Sequence, residues 1–127
     1  MNRKIIIICA TLALLGMLCA AEQVLVHRVT RDALAQTQRI LQAIRVRRYD
    51  EAMELAQALD RAWDERAKKL ETLVDHRSTD DVRYALSRLL AALEEKDAAT
   101  AMVYACELEG GIEHVYERQA LTPENIF

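Results

Sequence analysis

The sequence contains little glycine, proline or aromatic residue: three glycines, one proline and 5% aromatics in 127 residues. This excludes a collagen-like or low-complexity chain, because both need glycine or proline in quantity. Hydrophobic residues make up 52% and charged residues 29%, which is too apolar for a disordered chain and too charged for a membrane protein with many spans. The length and composition therefore predict one small, helix-rich domain.

Cysteine is also scarce, and its placement excludes a disulfide scaffold. Cys9 and Cys19 lie in an N-terminal apolar run, so Cys106 is the only cysteine in the rest of the chain and has no partner there for a disulfide. Cys106 follows Ala105 on a predicted helix, and this apolar setting predicts a buried thiol that packs as a small hydrophobe. The alternative is a reactive thiol or an intermolecular disulfide.

The apolar run is the strongest local pattern in the sequence. Two cations in the four-residue head precede seventeen apolar or small residues at 5–21, and the first charge after them is Glu22. As a helix the run covers roughly 26 Å, slightly less than a hydrocarbon core of about 30 Å, and residues up to 26 can extend it. We predict an uncleaved transmembrane anchor over 5–21. The alternative is a secretory signal peptide that is cut after Ala21.

The orientation of this anchor is predicted from its flanks. Arg3 and Lys4 precede the run, whereas Arg28 and Arg31 follow it, so the charge difference across the span is small. The short head, residues 1–4, favours a cytoplasmic N-terminus, which puts residues 22–127 outside the cell membrane. The inverse orientation is the alternative, and a cut after Ala21 would make the domain a secreted one.

Charge divides the remaining chain into two parts. Residues 22–48 carry six arginines and two acids, a net charge of +4, whereas residues 49–127 carry nine cations and eighteen acids, a net charge of -9. This asymmetry predicts a basic stem helix over 22–48 and an acidic helical bundle over 49–127. The stem could contact anionic lipid, each cation contributing about 1 kcal/mol near such a surface, or it could pair with the acidic bundle.

Apolar residues recur at helical spacing after the anchor. Asp50 is expected to cap a second helix that reaches about residue 75, and Ser78 or Thr79 to cap a third. Asp97 is expected to begin a fourth helix that two adjacent glycines, 110–111, weaken or kink. The predicted fold class is all-α: an N-terminal transmembrane helix followed by a small antiparallel bundle of three to four helices. The stem is expected to form a narrow apolar seam of the coiled-coil kind with Val26, Ala33, Thr37, Ile40 and Ile44, and with Leu34 and Leu41 beside them.

The candidate binding residues are Trp63, His76 and His114. Trp63, the single tryptophan, is expected to pack between helices, with a partner-binding role as the alternative. His76 is expected to end the second helix, where the helix dipole favours a cation. His114 lies between Glu113 and Glu117, but the Glu-x-x-His pairs of bundle metal sites are absent, so we expect no metal and no cofactor.

Catalysis and nucleic-acid binding are poorly supported by the sequence. There is no phosphate-binding loop, no paired zinc cysteines and no nucleophile with a positioned base. The acidic bundle argues against nucleic acid as a partner, since such partners require a basic surface. We therefore expect neither an enzyme nor a nucleic-acid-binding protein.

One combination of features extends over nearly the whole chain: Trp63, His76, Leu86, Leu89, Leu90, Leu93, Asp97, the segment 111–115 and the tail 121–127 with Asn125-Ile126. This combination resembles a family of short, single-span membrane proteins of unknown function from spore-forming Firmicutes. The resemblance implies a membrane-tethered helical module linked to sporulation or to the envelope machinery, with no activity to inherit.

These observations lead us to expect a membrane-anchored, non-enzymatic interaction module of the cell envelope. Its partners would be the lipid bilayer and either another protein or a second copy of the chain. The binding residues would be apolar side chains left exposed after packing, with Trp63 and the seam of residues 26–44 as candidates. The alternative is an extracytoplasmic sensor that binds a small ligand or cell-wall fragment between helices, which a buried polar cluster around Trp63, His76 or His114 would support.

Overall fold

A computed structural model describes residues 2–70 and 76–119. These residues form four α-helices and no strand: α1 (Arg3–Arg45), α2 (Tyr49–Leu70), α3 (His76–Glu94) and α4 (Ala98–Gln119). Helix α1 packs against α2 and α4, and α3 packs against the same two helices. With three-residue connections at 46–48 and 95–97, consecutive helices run antiparallel around a four-helix bundle. The predicted all-α class, with a long apolar N-terminal helix, is confirmed.

Helix α1 has two halves with different surroundings. It is a single helix of 43 residues, but residues 3–25 are exposed except for the half-buried Gln23, and burial begins only at Val26. At about 1.5 Å per residue the exposed half projects roughly 35 Å from the bundle. Within the described ranges, α1 alone is long and apolar enough to be a candidate membrane span, and its most apolar stretch has no buried residue.

The second half of α1 belongs to the bundle core. All five residues of the predicted stem seam are buried, and so is Leu41, whereas Leu34 is half-buried against the core. Two of the buried positions are threonines, and each hydroxyl donates back to a carbonyl four residues earlier: Thr30 Oγ1 to Val26 O and Thr37 Oγ1 to Ala33 O, both at 2.8 Å. These bonds satisfy the hydroxyls inside an apolar core, where an unpaired donor would be costly.

Two connections of the bundle are built in the same way. Arg47 and Lys96 have positive φ values of 60° and 53°, and each follows the end of a helix. The next amide in each turn bonds back five residues, from Arg48 N to Ala43 O and from Asp97 N to Ala92 O. This is the Schellman arrangement, which satisfies carbonyls at a helix end. Because the chain enters a new helix directly after each turn, the two helices that the turn joins are antiparallel.

One of the three predicted helix starts agrees with the structure, and the other two differ from it. Asp97 lies directly before α4 and accepts hydrogen bonds from Thr100, as a capping residue should. Asp50 is not a cap, because α2 begins at Tyr49 and the first carbonyl used is that of Arg48. Asp50 instead lies in the first turn of α2, where its negative charge interacts favourably with the partial positive charge of the helix N-terminus.

The predicted cap of the third helix is wrong. Helix α3 begins at His76, so Ser78 and Thr79 are helical, and both are buried. The Thr79 hydroxyl donates to the carbonyl of His76 at 2.9 Å. Its polar group is thus satisfied within the first turn of the helix instead of capping it. The predicted end of the second helix, near residue 75, lies outside the described residues, and so does the tail 121–127.

The two adjacent glycines do not interrupt α4, which is continuous through both. Gly111 faces α3: a Cβ built on it would lie 3.5 Å from Val82 Cγ2, an ordinary van der Waals distance, whereas a Cβ on Gly110 would meet nothing within 4 Å. Neither glycine has a positive φ. The backbone therefore needs neither glycine for its conformation.

Replacing Gly110 with alanine should stabilise the protein. Alanine is favoured over glycine in a helix interior by about 0.5–1 kcal/mol, and the added methyl group meets open space. Chemical denaturation of the detergent-solubilised full chain, followed by far-UV circular dichroism, measures the change. Gly111→Ala is the matched variant in van der Waals contact and should not destabilise the fold. A loss of stability in Gly110→Ala would contradict the regular helix described at this position.

Candidate interaction surfaces

The structure places Trp63 in the core. Its side chain is only 1% exposed, and its Nε1 donates to the carbonyl oxygen of Thr79 at 3.4 Å. The indole therefore links α2 to the first turn of α3 and finds a partner for its single polar atom. This is the packing position expected for it, and contact with a partner would require the bundle to open.

The two histidines that were candidate ligands are both exposed. His76 begins α3 instead of ending the preceding helix, so the expectation that a helix dipole favours its cation is wrong, since the N-terminal end of a helix carries partial positive charge. His114 lies on the exposed side of α4. In the ranges 2–70 and 76–119, no three His, Cys, Asp or Glu residues form a group that could hold a metal ion.

Cys106 is exposed, and the prediction of a buried thiol is wrong. The core face of α4 contains residues 101, 105, 108, 112 and 115, and Cys106 follows one of them by a single position. One residue corresponds to about 100° around a helix, which turns the thiol away from the core. Its neighbours at helical spacing are Val103, 56% exposed, and the exposed Gly110. We call these three residues, 103, 106 and 110, the α4 outer face.

Aromatic and charged side chains cover the two sides of α4. On the α1 side the rings of His27 and Tyr116 lie 5.3 Å apart between centroids, at 56°. On the α3 side the Arg88 guanidinium lies 6.0 Å from the centre of the Tyr104 ring and 3.9 Å from a Glu107 oxygen. The α4 outer face lies between these contacts and is not involved in them.

Polar contacts also join the other helix pairs at the surface. Asp32 on α1 lies 3.8 Å from Arg66 on α2, and Asp64 on α2 lies 3.3 Å from Arg83 on α3. All four side chains are about a third or more exposed, so each pair contributes only about 0–1 kcal/mol. These contacts help to align the helices, whereas the apolar core supplies most of the stability.

Several clefts lie at the surface of the bundle, and two of them lie at opposite ends. The first, which we call the root cleft, lies between α1 and α2 where the exposed half of α1 emerges, and its volume is about 200 Å³. The second, the far-end cleft, has a volume of about 410 Å³. The root cleft is lined by Leu25, Arg28, Val29, Asp32, Arg66, Lys69 and Leu70, and the far-end cleft by Arg47, Arg48, Tyr49, Asp50, Glu51 and Lys96.

Sequence reasoning identified the basic character of α1 but missed the root cleft. Arg28 and Lys69 are 41 positions apart, and only the packing of α2 on α1 makes them line one cleft. The sequence signal that was available is the end of α2, where Arg66, Lys68 and Lys69 fall within one turn. Pairing that turn with Arg28 requires knowing that the two helices are antiparallel neighbours.

The far end also contains Asp97, the only carboxyl group with a clearly shifted pKa among the residues that the structure describes. Two oxygens of Asp97 accept hydrogen bonds from Thr100: Oδ2 from the hydroxyl at 2.6 Å and Oδ1 from the backbone amide at 3.1 Å. The hydroxyl bond and then the amide bond lower the pKa of Asp97 below its usual 3.8, because both favour the charged carboxylate. Asp97 is therefore ionised at neutral pH and caps α4 in its charged form.

Comparison with known proteins gives one family match. The family described as Domain of unknown function (DUF4363) matches residues 22–126, a range that includes all of the bundle and excludes the apolar run. No curated protein matches the chain significantly, and no solved structure does so either.

The cap at Asp97 predicts an acid-dependent loss of stability. A carboxyl whose pKa is lower in the folded chain contributes stability above its unfolded pKa and loses it as the pH falls through the folded value. Asp97→Ala should therefore be less stable than the parent at neutral pH, and the difference should shrink below about pH 4. Thermal unfolding at several pH values measures both. A constant difference across that range would contradict the charged cap, and Glu95→Ala, which alters a neighbouring exposed acid, is the control.

Proposed function

Because this chain belongs to the DUF4363 family, whose function is unknown, we propose from its own geometry that it is a membrane-anchored, non-enzymatic helical interaction module of the cell envelope. The observation that carries the proposal is the continuity of α1. One helix supplies both the exposed apolar projection and a core element of the bundle. A bundle joined to the bilayer in this way has its height above the membrane set by the helix itself.

The exposed half of α1 supports a membrane location. Nine large apolar side chains between Ile5 and Leu18 are each more than half exposed, and soluble proteins rarely leave so large a continuous apolar surface uncovered. A hydrocarbon core covers such a helix on all sides, and the helical backbone satisfies its own hydrogen bonds there. We propose that residues 5–21 stay in the membrane as an uncleaved anchor.

The orientation that we propose leaves residues 1–4 in the cytoplasm and the bundle outside. The short N-terminal head favours this arrangement, although the flanking cations are nearly balanced. The resemblance to short, single-span membrane proteins of unknown function from spore-forming Firmicutes is the support for a role in the envelope or in sporulation. The family match to residues 22–126 is compatible with this role and leaves it open.

We propose that the partner is a second copy of the chain, bound through the α4 outer face. Val103 and Cys106 are exposed there, and Gly110 leaves open space in which a partner helix could approach. Small residues at an interface allow two helices to come close together. The apolar residues first considered for binding, Trp63 and the seam of α1, are buried in the bundle, so they are not available for this contact.

Anchoring favours such a pair. Two copies inserted in the same membrane are parallel and lie at the same height, so identical residues of the two chains face each other across a twofold axis normal to the bilayer. A twofold contact uses the same patch on both copies. Cys106, near the middle of α4, would then lie close to its counterpart. Confinement to the membrane plane also raises the effective concentration of one copy near another.

The sensor alternative has less support. It calls for a buried polar cluster around the three candidate residues, but the Trp63 indole nitrogen already has the Thr79 carbonyl as a partner, and His76 and His114 are exposed. The root cleft and the far-end cleft lie at the bundle surface. An interaction role that uses the surface is therefore preferred to a ligand site between the helices.

The anchor is tested by purifying the C-terminally tagged full chain from its own membranes. We expect the intact mass of the whole chain, 14.5 kDa plus the tag, and resistance to alkaline extraction. Leu12→Arg with Leu15→Arg should abolish anchoring, since each arginine near the centre of a span costs about 2.5–3.5 kcal/mol. Val46→Arg, at an exposed apolar position of the bundle, should leave it unchanged. A mass that begins at Glu22 would overturn the anchor in favour of a cleaved signal.

Self-association is tested by thiol crosslinking in native membranes. With Cys9 and Cys19 replaced by alanine, a short bis-maleimide should link Cys106 to its counterpart and give a dimer on denaturing gels. The matched control moves the single cysteine from Cys106 to Ser87, an exposed position of α3, and should give several-fold less dimer. Val103→Glu should also reduce the yield through like-charge repulsion. Equal yields from Cys106 and Ser87→Cys would reveal random collision and contradict the α4 interface.

A further inference from the structure

We propose that the root cleft binds the phosphate group of an anionic phospholipid from the membrane that holds the anchor. The inference rests on the membrane anchoring proposed above and adds a specific ligand to it. The cleft lies between α1 and α2 where the exposed apolar half of α1 ends and its buried half begins. A lipid headgroup beside the anchor on the α1–α2 side would therefore lie next to this cleft.

Charge selects an anion for this cleft. Three cations line it, Arg28, Arg66 and Lys69, against the single acid Asp32. Asp32 lies 3.8 Å from the Arg66 guanidinium and offsets one of the three positive charges, which leaves the lining with a net charge of +2. Guanidinium groups bind phosphate oxygens through paired, charge-assisted hydrogen bonds, and a lysine ammonium adds a point charge.

The ends of α3 and α4 nearby do not offer the same net charge. Their first and last turns contain four acids, Asp80, Asp81, Glu113 and Glu117, against three cations, Arg77, Arg83 and Arg118. The lining of the root cleft is thus net positive, whereas these neighbouring helix ends are not. This arrangement favours one bound headgroup over a diffuse attraction to the membrane.

The height of the cleft fits the headgroup layer. Arg28 lies seven residues after Ala21, about 10 Å along the helix, and the headgroup layer on each face of a bilayer is roughly 5–8 Å thick. Side chains on a helix lean toward its N-terminus, which for α1 is the direction of the membrane. Arginine can extend its charged group further in that direction along an apolar stem.

The apolar lining fits the beginning of an acyl chain. Leu25, which is 38% exposed, and the buried Val29 and Leu70 form the apolar part of the cleft. Leu25 is the last residue of the exposed half of α1, so a lipid with its phosphate at Arg28 would place its glycerol and upper acyl chains along Leu25. A free phosphate ion would use the cations but gain nothing from these side chains.

The test measures lipid retention on the full chain in mild detergent by native mass spectrometry. The probe is an equimolar mixture of dioleoyl phosphatidylglycerol and dioleoyl phosphatidylcholine. We expect one phosphatidylglycerol to be retained in preference to phosphatidylcholine. Arg28→Gln with Lys69→Gln should weaken that retention about 25-fold, since each cation near an anionic lipid contributes roughly fivefold.

Matched variants separate the cleft from net charge. Arg47→Gln with Lys96→Gln also removes two positive charges, but from the far-end cleft. This variant should leave lipid retention unchanged. Asp32→Asn removes the one acid that lines the root cleft and should increase lipid retention. Because misfolding would lower retention, such an increase tests the proposal even if the double variant folds poorly. Far-UV circular dichroism verifies the helical content of every variant.

Three results would overturn the proposal. They are equal retention of both lipids, equal loss from the root and far-end variants, and full displacement of phosphatidylglycerol by inorganic phosphate, which would indicate a free-anion site. Failure of the anchor proposal is recognised separately, because the parent chain would then have a mass beginning at Glu22 and would not resist alkaline extraction. A membrane-embedded chain without lipid preference would reject this inference alone.

Discussion

The structure depends on one constraint: α1 must satisfy two environments along a single helix. Its first half is apolar on every side and exposed, whereas its second half is apolar on one stripe only and is buried there by α2 and α4. The change occurs near residues 22–26, without a glycine or proline between the two halves. Because no residue breaks the helix there, the direction of the first half of α1 fixes the direction of the second half. Any structure that binds the first half therefore also sets the position of the bundle.

Small residues and short turns make the bundle compact around this helix. Alanines occupy buried positions on all four helices. Two Schellman turns return the chain at once into the next helix. Arg47 and Lys96 adopt positive φ values there although glycine is the usual residue at such positions. Tertiary packing of the helices outweighs this local cost, which is about 1–2 kcal/mol at each position.

The surface carries the features that function can use. The seam of α1 and the indole of Trp63 are buried in the core, so recognition of a partner has to involve groups that are exposed. In the arrangement that we propose, the anchor would place two of these: the α4 outer face would lie at equal height on neighbouring copies, and the root cleft would lie at the lipid headgroups. A lipid in the root cleft and a copy on α4 would occupy different sides of the bundle and would not compete.

Much of the fold could be predicted from residue spacing. The candidate span at 5–21, the apolar seam of α1 and the start of the fourth helix at Asp97 follow from hydropathy and helical period, which are local. The predictions from sequence were wrong where a local pattern was compatible with two different positions of a residue. Ser78 and Thr79 are good caps by type, but their hydroxyls lie inside α3. Cys106 has apolar neighbours, but its position on the helix is one residue off the core face.

By itself, the sequence determined the class of the protein, its apolar projection and the helical period of its core, because these depend on residues within a few turns of one another. The tertiary structure alone decided which side of α4 is exposed and which cations share a cleft. Arg28 and Lys69 line the root cleft only because α2 packs antiparallel on α1. That juxtaposition depends on how side chains of separate helices fit together, which no local pattern encodes.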